Sequence, residues 1–201
     1  MVEPSFNLNS DDLCLNFANT WGGRLEASTD PAGDYSELVA WAVQGGIIAP
    51  SQAHQLLERA GREPADAAAS VERAVRLREA IYGSFARVAG GRLPPQGVLD
   101  EINRTLADAI PHLRLRVVGS SCRWEWSVPQ DALDQMLWAV ALSAAELLTS
   151  DRVDRVRECA SETCSWLFLD GSRNRRRKWC DMASCGNRAK ARRYYDRHHR
   201  G

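Results

Sequence analysis

The chain has 201 residues, of which 44% are hydrophobic and 26% charged, enough to bury a core as one domain or as a medium domain with a small one. No apolar run approaches the roughly 20 residues of a membrane-spanning helix, and the start, MVEPSFNLNSDD, lacks a basic-then-apolar signal pattern, so a cytoplasmic protein without membrane contact is expected. The net charge of +0 conceals a split: residues 151–201 carry 14 Lys and Arg against 7 Asp and Glu, while residues 1–150 carry 12 against 19.

Along the chain, SDDLCLNFANT (residues 10–20) reads as a short helix or strand entering the core; the alternation of Leu13, Leu15 and Phe17 favours a strand, although Leu13 with Phe17 also suits a helix. Residues 21–33, rich in Gly, Ser, Thr, Asp and Pro, read as a loop. Asp34 with Glu37 gives a capping-box-like start to a helix that ends at Gly45-Gly46. A second helix over SQAHQLLERA is expected to stop at Gly61, and Pro64 suits the first turn of a third, running to about Ala89. A fourth covers about Gln96 to Ile110. Residues 112–118 and 122–128 alternate apolar and polar around a Gly-Ser-Ser link, the pattern of a β-hairpin. A fifth helix, about Asp131 to Thr149, is apolar nearly all round and so is expected to be central. No Pro or Gly interrupts 131–159, which leaves Asp151–Arg157 free to be a helical join. The fold class expected is mainly α with a small β-hairpin for an N-terminal domain over 1–150, followed by a small zinc-stabilised finger of short hairpin plus helix over 151–201.

The finger is read from cysteines. Cys159, Cys164, Cys180 and Cys185 form C-x4-C, fifteen residues, C-x4-C. Two close pairs that can face each other suit a tetrahedral ion, and four thiolates fix one structural Zn²⁺ without redox chemistry. A segment this small has little core of its own, so the metal would supply its folding energy. The alternatives are four unrelated thiols or a zinc site that releases its ion on oxidation. Cys14 and Cys122, inside apolar patterns, read as small buried core residues. Four bound thiolates would bring the tail from +7 to about +5.

Between the cysteine pairs, Trp166–Leu169 is strand-like, Asp170-Gly171 is a turn, and the run Arg173, Arg175, Arg176, Arg177, Lys178 is basic. After Cys185, Ala191, Tyr194, Tyr195 and His198 fall on one helical stripe that would pack on the finger, leaving Arg188, Lys190, Arg192, Arg193 and Arg197 outward. Basic side chains on a zinc-held helix suit DNA phosphates and the major groove. The same cluster would also serve to dock the acidic body or a protein partner, and the tyrosine pair would suit stacking on RNA bases.

Cys185-Gly186-Asn187-Arg188, followed by Ala189-Lys190-Ala191 and Tyr194-Tyr195, resembles the CGNR zinc finger, and Cys159, Cys164 and Trp179-Cys180 fit the same pattern. The stretches Leu13–Thr20 and Arg76–Tyr82 are similar to the ABATE domain found ahead of that finger, so the two resemblances cover nearly the whole chain. They imply a bacterial, stress-related transcription regulator with a DNA-binding finger and an N-terminal domain that senses a ligand. Asn16 departs from the family pattern, in which an acidic residue is often found, so a ligand touching it would differ in charge.

The body carries no P-loop, G-x-S-x-G, H-E-x-x-H or G-x-G-x-x-G, and His54 and His112 stand alone, so no enzyme is expected. For a ligand site the candidates are Asn16 and Asn19, polar among apolar neighbours, and Arg78, which flanks the apolar stripe of the third helix and, if buried, must hold a carboxylate or an anionic ligand. Trp21, Trp41, Trp124, Trp126 and Trp138 would line a pocket or fill the core. A homodimer would suit paired half-sites, although no heptad seam appears.

Overall fold

The computed structural model describes residues 6, 8, 10, 12–20, 34–127 and 132–199, without the side chains of 196 and 199. The expected loop at 21–33, Trp21 and the start of the expected fifth helix at Asp131 lie outside them.

Residues Leu13–Ala18 form a helix, α1, and not the strand that alternation favours. Cys14 through Ala18 are all buried, so no polar face exists to reveal the period. Asp34 caps α2 (Tyr35–Gln44) by accepting hydrogen bonds from the backbone of Ser36 and Glu37. The turn after α2 uses Gly45 and then Gly46, whose φ of 69° favours glycine. Helix α3 (Pro50–Arg62) runs through Gly61, because nothing at that exposed position stops it. What ends α3 is Pro64: the residue before a proline is pushed out of the helical region, and Glu63 sits at φ −128°, ψ 63°. Pro64 then opens α4 (Pro64–Ala89), 26 residues and about 39 Å long.

After α5 (Gln96–Ala109) and a short turn, β1 (Leu113–Val118) and β2 (Ser121–Trp126) form an antiparallel hairpin, Leu113 opposite Trp126 and Val118 opposite Ser121. Helix α6 (Gln135–Thr149) is central as expected and buries Met136, Leu137, Val140, Ala141, Ala144 and Leu147 between α1, α4 and α5. Cys122 is exposed, contrary to the reading of a core thiol: its strand stands off the body, so its apolar face meets solvent.

Residues 151–157 are not a helical join. A single turn at Val153–Arg155 leads into β3 (Val156–Glu158), which pairs antiparallel with β4 (Leu167–Leu169). The reason is packing: Val156 and Leu167 are fully buried in the same core as α1 and α4, and only an extended chain places them there. Asn19, at the end of α1, clamps this strand: its Oδ1 accepts from Leu167 N–H at 2.9 Å and its Nδ2 donates to Leu167 C=O at 2.8 Å. Tyr82 Oη to Glu158 at 3.1 Å and the Arg152–Asp12 ion pair at 2.5 Å add polar ties across the same seam. Alternation along β4 turns Phe168 the other way, into a second small cluster with three of the cysteines.

Candidate metal centre and basic helix

The four cysteines converge as the spacing predicts. Their sulfurs all lie within 4.8 Å of one another, and Cys164–Cys180 and Cys180–Cys185 are both 3.7 Å apart. A tetrahedral ion with Zn–S bonds of about 2.3 Å requires ligand separations of about 3.8 Å, so the two 3.7 Å separations already match zinc and the rest, none above 4.8 Å, need only a small contraction. Cys159, Cys180 and Cys185 are buried and Cys164 half-buried beneath Phe168, Trp166 and Trp179. Crowding couples them: Cys164 is held down at about 5, chiefly by its hydrogen bond to Cys180, while that bond and burial push Cys180 up. A divalent cation relieves this conflict by taking all four as thiolates. Cys14 is different: burial pushes its thiol up to about 12, which marks an inert core residue.

Local hydrogen bonds explain how so short a segment holds this geometry. Cys159 N–H donates to Trp166 C=O at 2.8 Å, extending the β3–β4 ladder to the first ligand. Cys180 N–H donates to Cys159 Sγ at 3.5 Å, and Ala160 N–H to Lys178 C=O at 2.9 Å, joining the two pairs. Asp170, fully buried, accepts from the backbone of Ser172 and Arg177 at 2.9 Å each and so folds the basic loop back. Asp181 caps the wide turn Met182–Gly186 through Ala183 and Ser184. A Cβ on Gly186 would lie 2.8 Å from Met182 Sδ and 3.3 Å from Trp179, so glycine lets both close over Cys185. Asn187 Nδ2 donates to Ala183 C=O at 3.1 Å and leads into α7 (Asn187–His199).

The ten basic residues expected to meet DNA do not form one class. Arg177 is part of the finger's own packing: its guanidinium lies 4.7 Å over the Phe168 ring and donates to the carbonyls of Trp179 and Cys180. Arg188 donates to Cys185 Sγ at 3.3 Å, and Arg192 pairs with Glu162 in the first cysteine loop. Arg173, Arg175, Arg176 and Lys178 on the loop, and Lys190, Arg193 and Arg197 on α7, are exposed and have no ion-pair partner among the described residues. The last three are spaced i, i+3, i+7, so they share one helical face, opposite the face of Arg188 and Arg192. The expected packing of the tyrosine stripe on the finger is not what the structure has. Tyr194 and Tyr195 are 56% and 61% exposed, Ala191 and His198 are exposed, and Tyr194 stacks on His198 at 4.1 Å. The zinc cluster is closed by Phe168 and the two tryptophans, which leaves α7 nothing to cover.

Removing the Arg188 guanidinium takes away a donor to a metal-bound sulfur. Arg188→Ala is expected to weaken zinc affinity roughly 10–100-fold, measured by competition with a chromogenic chelator, while Arg193→Ala leaves it unchanged.

The three candidate ligand residues are not brought together. Asn16 spends its amide on Ser10, accepting from its N–H and donating to its C=O at 2.8 Å each, and Asn19 spends its own on Leu167. Arg78 is buried, with its Nε 3.2 Å from Glu79. It borders a cavity of about 40 Å³ with Phe17, Thr20, Glu37 and Trp41. Trp41, which also lines it, has its Nε1 buried without a hydrogen-bond partner among the described residues. Of the other tryptophans, Trp138 is core, Trp126 reaches it at 6.0 Å, and Trp124 is exposed. Sequence reasoning missed the Asn19 clamp, Asp170 and Glu162; an Asn closing a short apolar helix and an Asp opening an arginine loop were the signals present.

Two family models match the chain. Residues 11–151 match ABATE, described as "Putative stress-induced transcription regulator", and residues 155–198 match the CGNR zinc finger. No curated protein matches it.

Proposed function

The chain belongs to the ABATE family and carries a CGNR zinc finger with one structural zinc, and on that premise we propose that it is a transcription regulator whose finger binds DNA and whose helical body, residues 1–150, senses a small ligand. The observation that carries the DNA reading is the state of α7: a helix anchored at one end by the metal cluster, with Lys190, Arg193 and Arg197 on one open face. Cations so placed exchange counterions for phosphates. Arg173, Arg175, Arg176 and Lys178 on the neighbouring loop add to the same field. Arg177, Arg188 and Arg192 serve the finger's structure and act on DNA through it.

The test is selection of genomic DNA fragments by the zinc-loaded chain, followed by a salt titration. Lys190→Ala/Arg193→Ala/Arg197→Ala is expected to reduce the log–log salt slope by roughly 3 and to abolish enrichment. No enrichment, with binding indifferent to the three changes, would move the finger to protein docking. The exposure of Tyr194 and Tyr195 favours a second reading, stacking on unpaired bases of RNA or single strands, in which Tyr194→Ala weakens single-strand binding and spares duplex.

Sensing rests on the cavity beside Arg78. Its size suits a water or a very small ligand, and Trp41, which lines it, has a buried indole N–H that calls for an acceptor. Thr20 lines that cavity and adjoins Asn19, which holds the strand leading to Phe168 and the zinc cluster. A ligand that biases the end of α1 would thereby bias the finger's presentation.

A further inference from the structure

We propose that the outer edge of β2 pairs with the same edge of a second copy of this chain, antiparallel and centred on Trp124, to make a four-stranded sheet across a two-fold axis. The β1–β2 sheet has two strands among the described residues, so each strand has a free edge. The phase of the ladder is fixed by Ser127 N–H donating to His112 C=O at 2.8 Å. Residues 121, 123 and 125 therefore turn their backbone groups to β1, and Cys122, Trp124 and Trp126 turn theirs outward. A row of unpaired backbone groups is a template for another strand. The face above it is apolar and open: Leu115, Val117 and Trp124 are 65%, 72% and 58% exposed.

Charge selects the occupant. Arg123 lies directly opposite Arg116 in the hairpin, a repulsive position, and has no ion-pair partner among the described residues, whereas Glu125 is held by Arg116 at 2.9 Å. A two-fold axis at Trp124 sets Arg123 opposite Glu125 of the partner subunit, and Glu125 opposite the partner's Arg123. Both are non-hydrogen-bonded pairs, the closer of the two pair types, with Cα atoms about 4.5 Å apart. The same axis brings the two Trp124 rings side by side. Axes at Cys122 or Trp126, the other outward residues, pair neither charge with its opposite. The β1 edge carries Arg114 and Arg116 and no acidic residue, so no register there joins opposite charges, and the sheet stops at four strands. This pairing holds whether or not the finger binds DNA.

Sedimentation equilibrium of the zinc-loaded full chain tests it. The wild-type chain is expected to dimerise, and Arg123→Glu and Glu125→Arg each to weaken dimerisation at least about tenfold, since each makes two like-charge pairs. An equimolar mixture of the two variants is expected to dimerise again, as is the double variant Arg123→Glu/Glu125→Arg. A wild-type chain that stays monomeric up to about 100 μM overturns the proposal. So does a dimer indifferent to both single changes, or a mixture that does not associate. Independently of any variant, amide exchange at Trp124 in the wild-type chain is expected to slow as concentration rises; exchange that ignores concentration would sink the pairing.

Discussion

Stripping zinc from the full chain is expected to lower the melting temperature of the helical body by roughly 10–20 °C, and not merely to unfold the finger. A structural zinc contributes on the order of 10 kcal/mol to a small cysteine module, more than the module's four-residue cluster of Cys159, Phe168, Cys180 and Cys185 can replace. Once the cysteine pairs separate, β3 and β4 lose the turn that holds them together, and Val156 and Leu167 leave the body's core. Each buried aliphatic side chain is worth roughly 2 kcal/mol, and the two bonds from Asn19 add about 1 kcal/mol each, so the body forfeits roughly 6 kcal/mol. Thermal unfolding followed by helix ellipticity, with and without chelator, measures this. A body transition that chelation does not move would mean that the seam contributes nothing to it.

Asn19→Ala is the second large effect expected, at about 2–6 kcal/mol, with one zinc per chain still bound. The change does not simply delete two hydrogen bonds. It leaves the N–H and C=O of Leu167 buried without partners, and each stranded group costs about 1–3 kcal/mol. Asn19→Asp separates the two halves of the clamp: a carboxylate still accepts from Leu167 N–H but faces its C=O with a second acceptor. Urea unfolding should therefore rank wild type above both variants. A loss below about 0.5 kcal/mol for Asn19→Ala would show that the clamp is ornamental to stability.

The metal ligands and most helices were legible in the sequence because their causes are local. Two cysteine pairs on tight turns, Asp34 capping its own helix, and Pro64 at a first turn each depend on a few adjacent residues. What was illegible depends on distant partners. α1 reads equally as strand or helix because all its sides are buried. Residues 151–157 contain nothing that breaks a helix, and only the pull of the distant core on Val156 turns their end into a strand. Gly61 looks like a stop, but the stop is written three residues later in Pro64. The basic residues looked alike in sequence, and only the fold separates Arg177, spent on Phe168, from Lys190 and Arg193, spent on nothing described. Tyr194 and Tyr195 seemed due for burial, but Trp166 and Trp179 had already taken that place.

The two-residue period of β4 sends Leu167 into one core and Phe168 into another. A finger built this way is not a cassette. Cut out at its own border, it would carry a greasy underside that Asn19 and α4 no longer cover, and it would seek any other apolar surface. Spliced onto a foreign carrier, it would need a matching socket, or Leu167 recast as a polar residue, before it could be trusted to stay dispersed. Chimaeras that swap the helical body between chains of this family should therefore exchange α1 and β4 as a single graft.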